Sequence, residues 1–165
     1  MATTTTISQV GEFPLISSMV GDLTMGQAVT LGPGDDGAVF QVDGSAVVST
    51  DVLVEEVHFR RRWSTATDVG RKAVAVNVSD IEAMGAVPVA LVVGFSAPGD
   101  LPASWAREFM AGMTAESQKA GVSVVGGDTT GGPVVSIAVT VIGQTAGMAP
   151  CLLYTSPSPR DGLLS

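Results

Sequence analysis

At 165 residues the chain has room for one domain with a real core, and not for two of ordinary size. A hydrophobic share of 45% against 15% charged excludes a disordered chain, and a net charge of −8 with no basic patch argues against nucleic acid or an anionic membrane as partner. The lone Cys151 excludes an intrachain disulfide and a Cys-based zinc cluster, and no run of about 18 apolar residues offers a membrane span.

Residues 1–10 are threonine-rich, lack the basic start of a signal peptide and read as a flexible arm, so a cytoplasmic location is the default. Phe13, Ile16 and Val20 fall near helical spacing and predict a short helix over Glu12–Val20. Next comes Gly32-Pro33-Gly34-Asp35-Asp36-Gly37, where glycines and a proline set tight turns around two adjacent carboxylates. Such a turn is either a solvated Asp-Gly hairpin or a place where a cation or ligand reaches the main chain. Residues 38–42 and 45–51 are β-branched runs joined by Asp43-Gly44, a hairpin signal.

Residues 52–63 have mixed polarity and read as strand or loop. Thr67 or Asp68 is placed to cap a helix running to about Ala83, with Val69, Ala73, Val76 and Asp80 along one face. Residues 87–95 form an apolar strand. A second helix starts near Asp100 or Ser104, carries Trp105, Phe109 and Met113 as a core stripe, and stops at Gly121. Residues 122–125 and 134–142 read as further strands. This order predicts an α+β domain: a mixed or antiparallel sheet of about four strands with helices layered on one face.

Four acids stand out by their surroundings. Asp36 lies in the glycine turn, and Asp51 and Asp128 follow apolar strands, the latter after Gly126-Gly127. Asp80 sits in a helix three residues from Asn77, where it caps nothing. A carboxylate at the edge of an apolar element is costly to desolvate unless it is hydrogen-bonded or faces a cation. Each acid alone fits a cap or turn role; converging, they form an oxygen-only site for a hard cation such as Mg²⁺. There is no P-loop, no kinase catalytic-loop signature and no Gly-x-Ser-x-Gly elbow, and the only lysines are Lys72 and Lys119. A polyphosphate would therefore have to be neutralised by metal, which suits metal-clamped phosphoryl transfer. His58, beside Glu55, Glu56 and Arg60-Arg61-Arg62, is either a solvated loop histidine or a ligand contact.

Gly11-Glu12-Phe13-x-Leu15-Ile16, Gly34-Asp35-Asp36-x-Ala38, Ser49-Thr50-Asp51-x-Leu53-Val54 and His58-Phe59 together resemble the N-terminal part of the thiamine-monophosphate kinase family. The likeness continues through Lys72-Ala73-x-Ala75-Val76-Asn77-x-Ser79-Asp80-Ile81-x-Ala83-Met84-Gly85-Ala86 and Gly126-Gly127-Asp128-Thr129-Thr130. That family belongs to the superfamily of aminoimidazole ribonucleotide synthetase and selenophosphate synthetase. The resemblance covers about residues 11–147 and implies Mg²⁺ bound by Asp36, Ser49, Thr50, Asp51, Asp80 and Asp128. It implies ATP contact at Gly127 and Asp128, and thiamine monophosphate contact at His58. It further implies direct transfer of the γ-phosphate to give thiamine diphosphate, without a covalent enzyme intermediate, and a homodimer joined through the sheet.

Family members carry a second, C-terminal domain that supplies an ATP-contacting arginine, further acids and much of the thiamine pocket. Here residues 148–165 are proline-rich and aperiodic, and the run 151–161 resembles the translated read-through of a sequencing adapter. The expectation is an N-terminal domain over residues 11–147, a tail foreign to the native protein, and a fragment that does not turn over alone. Two alternatives remain open: another ATP-using member of the superfamily, of the hydrogenase-maturation or purine-synthesis type, and a non-catalytic Mg-nucleotide-binding dimerisation module.

Overall fold

The computed structural model describes residues 5–34 and 36–152; Asp35, residues 1–4 of the expected arm and residues 153–165 of the expected tail lie outside the described residues. The described part of the arm is tied down rather than loose. Ile7–Val10 forms a short helix, α1, entered through a capping box of Thr6 and Gln9, and the Ile7 N–H donates to the Leu101 carbonyl at 2.9 Å. Helix α2, Glu12–Val20, has the bounds its periodicity predicts and buries Leu15.

Strand pairing departs from the local turn signals. Val29–Leu31 (β1) and Val39–Phe40 (β2) pair antiparallel as a small separate sheet, so the glycine turn is the link between them. The hairpin expected across Asp43-Gly44 does not form. Gly44 has φ +78°, and its turn is bonded to the far end of the chain: Ser45 N–H donates to Thr145 Oγ1 at 3.0 Å, and Ala146 N–H to the Asp43 carbonyl at 2.9 Å. Ala46–Val54 (β3) instead zips antiparallel onto Ser136–Gln144 (β6), about ninety residues away. Non-local burial decided this pairing, which a two-residue turn motif does not encode.

Val87–Ala97 (β4) lies antiparallel to β6 on its other side, and Ser123–Gly131 (β5) runs parallel to β4, giving the order β3-β6-β4-β5. Both β3 and β4 are antiparallel to β6 and hence parallel to one another. They are joined by α3 (Ala66–Ala83), while α4 (Ala103–Ala120) joins β4 to β5. Right-handed crossovers moving in one direction across a sheet put both helices on the same face. The expected one-sided layering is therefore present, and the four-stranded sheet is mixed.

Between that face and the two helices lies the main core, which includes Val69, Ile81, Leu91, Phe109, Met113 and Ile137. Phe59, Trp105, Phe109 and Phe95 stack within it, with the Trp105 and Phe109 rings 5.8 Å apart and 5° from parallel. Among the described residues the opposite face is covered only at one end, where Val89, Ala90 and Val125 meet Val29 and Phe40 of the small sheet. Elsewhere it stays open, with Val48 61%, Val52 42% and Val92 38% exposed.

Helix α3 begins at a capping box of Thr65 and Asp68, so the cap is Thr65 rather than Thr67 or Asp68. Hydrogen bonds from the Thr65 hydroxyl and then its N–H hold the Asp68 carboxyl below its usual range. Helix α4 starts without a side-chain cap at Pro102 and ends, as its glycine predicts, at Gly121 in the left-handed region with φ +66°. The two helices touch backbone to backbone. A Cβ on Gly70 would stand 2.1 Å from the Phe109 carbonyl oxygen, and one on Gly112 would stand 2.2 Å from that of Thr67. Gly70→Ala or Gly112→Ala is expected to force the helices apart at a cost of about 1–3 kcal/mol, read from urea midpoints. Gly37→Ala, where a Cβ meets nothing within 4 Å, is expected to change stability by less than about 0.5 kcal/mol. Equal midpoints for all three would contradict the close helix contact.

Candidate functional site

The turn between β1 and β2 stands against the outer edge of β5, with α2 alongside. They enclose a cavity of about 710 Å³. Phe13, Ile16 and Met19 of α2 and Met110 of α4 form an apolar wall; Asp36 and Gly34 of the turn, with Gly126, Gly127 and Asp128 of β5, form a polar one. The volume suits a small-molecule ligand, as does an apolar lining with a few polar groups gathered at one side. Sequence reading named the polar wall but not the apolar one. Its available signal was Phe13, which the short helix leaves 82% exposed.

Gly126-Gly127-Asp128 was expected at the end of a strand and lies inside β5. The β4–β5 register shifts between Leu91 and Val92, after which Gly127 pairs with Val93 and Asp128 with Gly94. A Cβ on Gly127 would come within 1.9 Å of the Val93 carbonyl oxygen, so only glycine keeps β5 this close to β4.

The other candidate donors lie along β3. Ser49 Oγ donates to Asp80 Oδ2 at 3.2 Å, and Asp51 alternates onto the same face. Thr50 projects from the opposite face and shares a 2.9 Å hydrogen bond with Thr140 Oγ1 of β6. Asp51 is inside the strand, paired with Val139, rather than at its end. Asp80 lies in the last turn of α3, where its carbonyl accepts from Met84 N–H; it continues the helix face of Val69 and Ala73 but, unlike them, is exposed. Its neighbour Asn77 is 1% exposed and donates Nδ2 to the Ala73 carbonyl at 2.8 Å.

The structure thus makes two groups of the six proposed ligands. Asp36 and Asp128 share the cavity at the β5 edge; Ser49, Asp51 and Asp80 gather on the helix-covered face at the β3 edge, with the Thr50 side chain on the other face of the same strand. Asp51, Val139, Val93 and Gly127 are successive register partners, so three strand spacings, roughly 14 Å, separate the groups. Among the described residues no three of His, Cys, Asp and Glu come together as a metal cage. Paired oxygen donors fit Mg²⁺, which takes one or two carboxylates and completes its shell with water and phosphate oxygens.

His58 lies in the loop between β3 and α3. Val54 N–H donates to its Nδ1 at 3.0 Å, and Lys72 Nζ donates to its carbonyl at 2.7 Å. The three arginines that follow are engaged locally: Arg61 with Glu55, and Arg60 and Arg62 with Glu56 while flanking the Trp63 ring. Desolvation raises the Glu56 pKa, but the hydrogen bonds and charges of Arg60 and Arg62 together outweigh it and hold the carboxyl below its usual range. The three arginines form a surface network with Glu55 and Glu56.

Residues 34–145 match the family "AIR synthase related protein, N-terminal domain", and the chain belongs to it. Within that group the chain is similar to thiamine-monophosphate kinases. It is 48% identical to the enzyme of Mycobacterium tuberculosis over 89% of this chain and 44% of that protein, and 39% identical to that of Corynebacterium glutamicum over 97% and 48%. The chain spans about half the length of these curated relatives. Among solved structures, "AaThiL complexed with AMPPCP and TMP" superposes with a TM-score of 0.58 at 28% identity, over 86% of this chain and 44% of that one. Hydrogenase maturation protein HypE in complex with ATP superposes with a TM-score of 0.68 at 26% identity, over 93% and 45%.

Asp80 and Glu82 place two carboxylates in the last turn of α3, at the negative end of the helix dipole, with no basic residue in that turn. Asp80→Asn is therefore expected to stabilise the metal-free protein by about 0.3–1 kcal/mol in urea denaturation. A marked loss of stability would show that Asp80 holds the fold together and is not a strained site residue.

Proposed function

We propose that this chain is the Mg-nucleotide-binding half of a thiamine-monophosphate kinase, the enzyme that uses ATP to convert thiamine monophosphate to thiamine diphosphate. The observation that carries the reading is the cavity that Asp36 and Asp128 both line, together with Gly126 and Gly127, beside an apolar wall. The ligands named for the two solved relatives, AMPPCP with TMP and ATP, support a nucleotide as occupant. The apolar side chains of α2 and Met110 would take the adenine, and Gly126-Gly127 lets the phosphates approach the backbone beside Asp128.

Mg²⁺ would be held by Asp36 and Asp128 on one edge and by Ser49, Thr50, Asp51 and Asp80 on the other, and supplies charge neutralisation of the polyphosphate. The protein's part is positioning. Asp36 and Asp128 set the metal-phosphate assembly, α2 and α4 exclude water from the base, and His58 donates a hydrogen bond to the substrate phosphate. The γ-phosphoryl group then passes directly from ATP to thiamine monophosphate: its bond to the β-phosphate oxygen breaks as one to the acceptor phosphate oxygen forms. ADP leaves, and no side chain is phosphorylated.

A homodimer belongs to this reading. The two ligand groups are about three strands apart in one chain, both β3 and β5 are edge strands, and the sheet face bearing Val48, Val52 and Val92 is bare. A second copy packed on that face would cover it and bring the β3 group of one chain towards the β5 group of the other. A cytoplasmic site of action goes with it; among the described residues no helix is long and apolar enough to cross a membrane.

A hydrogenase-maturation role is the second reading, favoured by the higher TM-score of that structure, but the sequence is far nearer the kinases. Because the chain spans about half of its relatives, we also propose that it binds Mg-nucleotide without completing transfer. Incubated with Mg-ATP and thiamine monophosphate, it is expected to give no thiamine diphosphate above background. Asp128→Asn in a chain extended to the relatives' length is expected to lower kcat on the order of 100-fold or more. Turnover by the present chain at the rate of such an extended enzyme contradicts the proposal, as does an unaffected Asp128→Asn.

A further inference from the structure

The sole histidine of the chain sits in a loop built to hold it. The Val54 carbonyl accepts from both Val57 N–H and His58 N–H, at 3.2 and 2.8 Å, and Glu56 N–H donates to the Phe59 carbonyl at 2.8 Å. Phe59, next to His58, is buried in the main core. From the other side the exposed Lys72 reaches over from α3 to the His58 carbonyl at 2.7 Å. Backbone, core anchor and helix thus fix the loop on three sides.

The ring contact sets its chemistry. Nδ1 accepts a hydrogen bond from Val54 N–H at 3.0 Å, and a proton on Nδ1 would point at that N–H. In the neutral ring one nitrogen accepts and the other donates, so the proton belongs on Nε2 of an exposed side chain.

We propose that the loop of residues 54–59 fixes His58 as its Nε2–H tautomer, with Lys72 as the positioning residue that keeps Val54 N–H in reach of Nδ1. The imidazole then offers its ligand a hydrogen-bond donor and no acceptor. This selects an anionic oxygen, such as a phosphate oxygen, over a ligand group that itself donates. The identification of that ligand rests on the thiamine phosphate reading above; the tautomer does not.

A two-bond ¹H–¹⁵N correlation spectrum of the uniformly labelled, ligand-free chain tests this, and one histidine gives one set of signals. At pH about 8 the expected pattern is an unprotonated Nδ1 and a protonated Nε2. Lys72→Met is expected to pull the two nitrogen shifts towards an average of both tautomers with circular dichroism unchanged, while Lys72→Arg keeps the wild-type pattern. An Nδ1–H or averaged spectrum in the wild type overturns the proposal, whether or not Lys72→Met folds. A folded Lys72→Met with the wild-type pattern overturns the role of Lys72, since a merely structural lysine would change stability and leave the tautomer alone. No ligand is present, so the result is separate from that of the turnover measurement.

Discussion

The direction of the two crossovers governs this structure. From β3 through α3 to β4, and from β4 through α4 to β5, the chain advances the same way across the sheet, so right-handedness assigns both helices to one face. That face acquires the core, including the stacked rings around Trp105 and Phe109 and the glycine contact between Gly70 and Gly112. The other face is left with Val48, Val52 and Val92 in the open, and β3 and β5 become the two edges. The acids proposed to hold the metal lie along those edges and in the turn beside β5.

Among the described residues neither Asp80 nor Asp128 on these edges is held in an ion pair. Asp80 meets the wrong end of a helix dipole, its carboxylate accepting from the Ser49 hydroxyl, and Asp128 stands on an exposed strand edge behind two glycines. A fold that kept these groups for stability would have set cations beside them, as it does at Glu55 and Glu56 with three arginines. The contrast between an internally neutralised arginine-glutamate loop and Asp80 and Asp128, which have no ion pair among the described residues, is the electrostatic argument for an external cation and a polyphosphate.

Much of this was legible in the sequence because it is local. The 3.6-residue spacing of Trp105, Phe109 and Met113, the stop at Gly121 and the bounds of α2 follow from side-chain periodicity and backbone preference alone. So does the choice of Asp36, Asp51, Asp80 and Asp128 as acids with unusual surroundings. Pairing was not local: Asp43-Gly44 carries a hairpin signal, yet β3 found its partner about ninety residues on, because burying its Leu53 face required β6. The same non-locality hid the separation of the ligands into two groups, which follows only from β6 and β4 lying between β3 and β5. The apolar cavity wall was hidden too, since Phe13 and Met110 belong to different helices and meet only in the fold.

The central claim is that the two acidic edges bind a nucleotide through Mg²⁺ and not through protein cations. Calorimetric titration of the chain with the non-hydrolysable nucleotide AMPPCP, with and without Mg²⁺, tests it most directly. The account predicts saturable binding with Mg²⁺ and none detectable in excess chelator. Equal affinity in both conditions, or no binding in either, would contradict it.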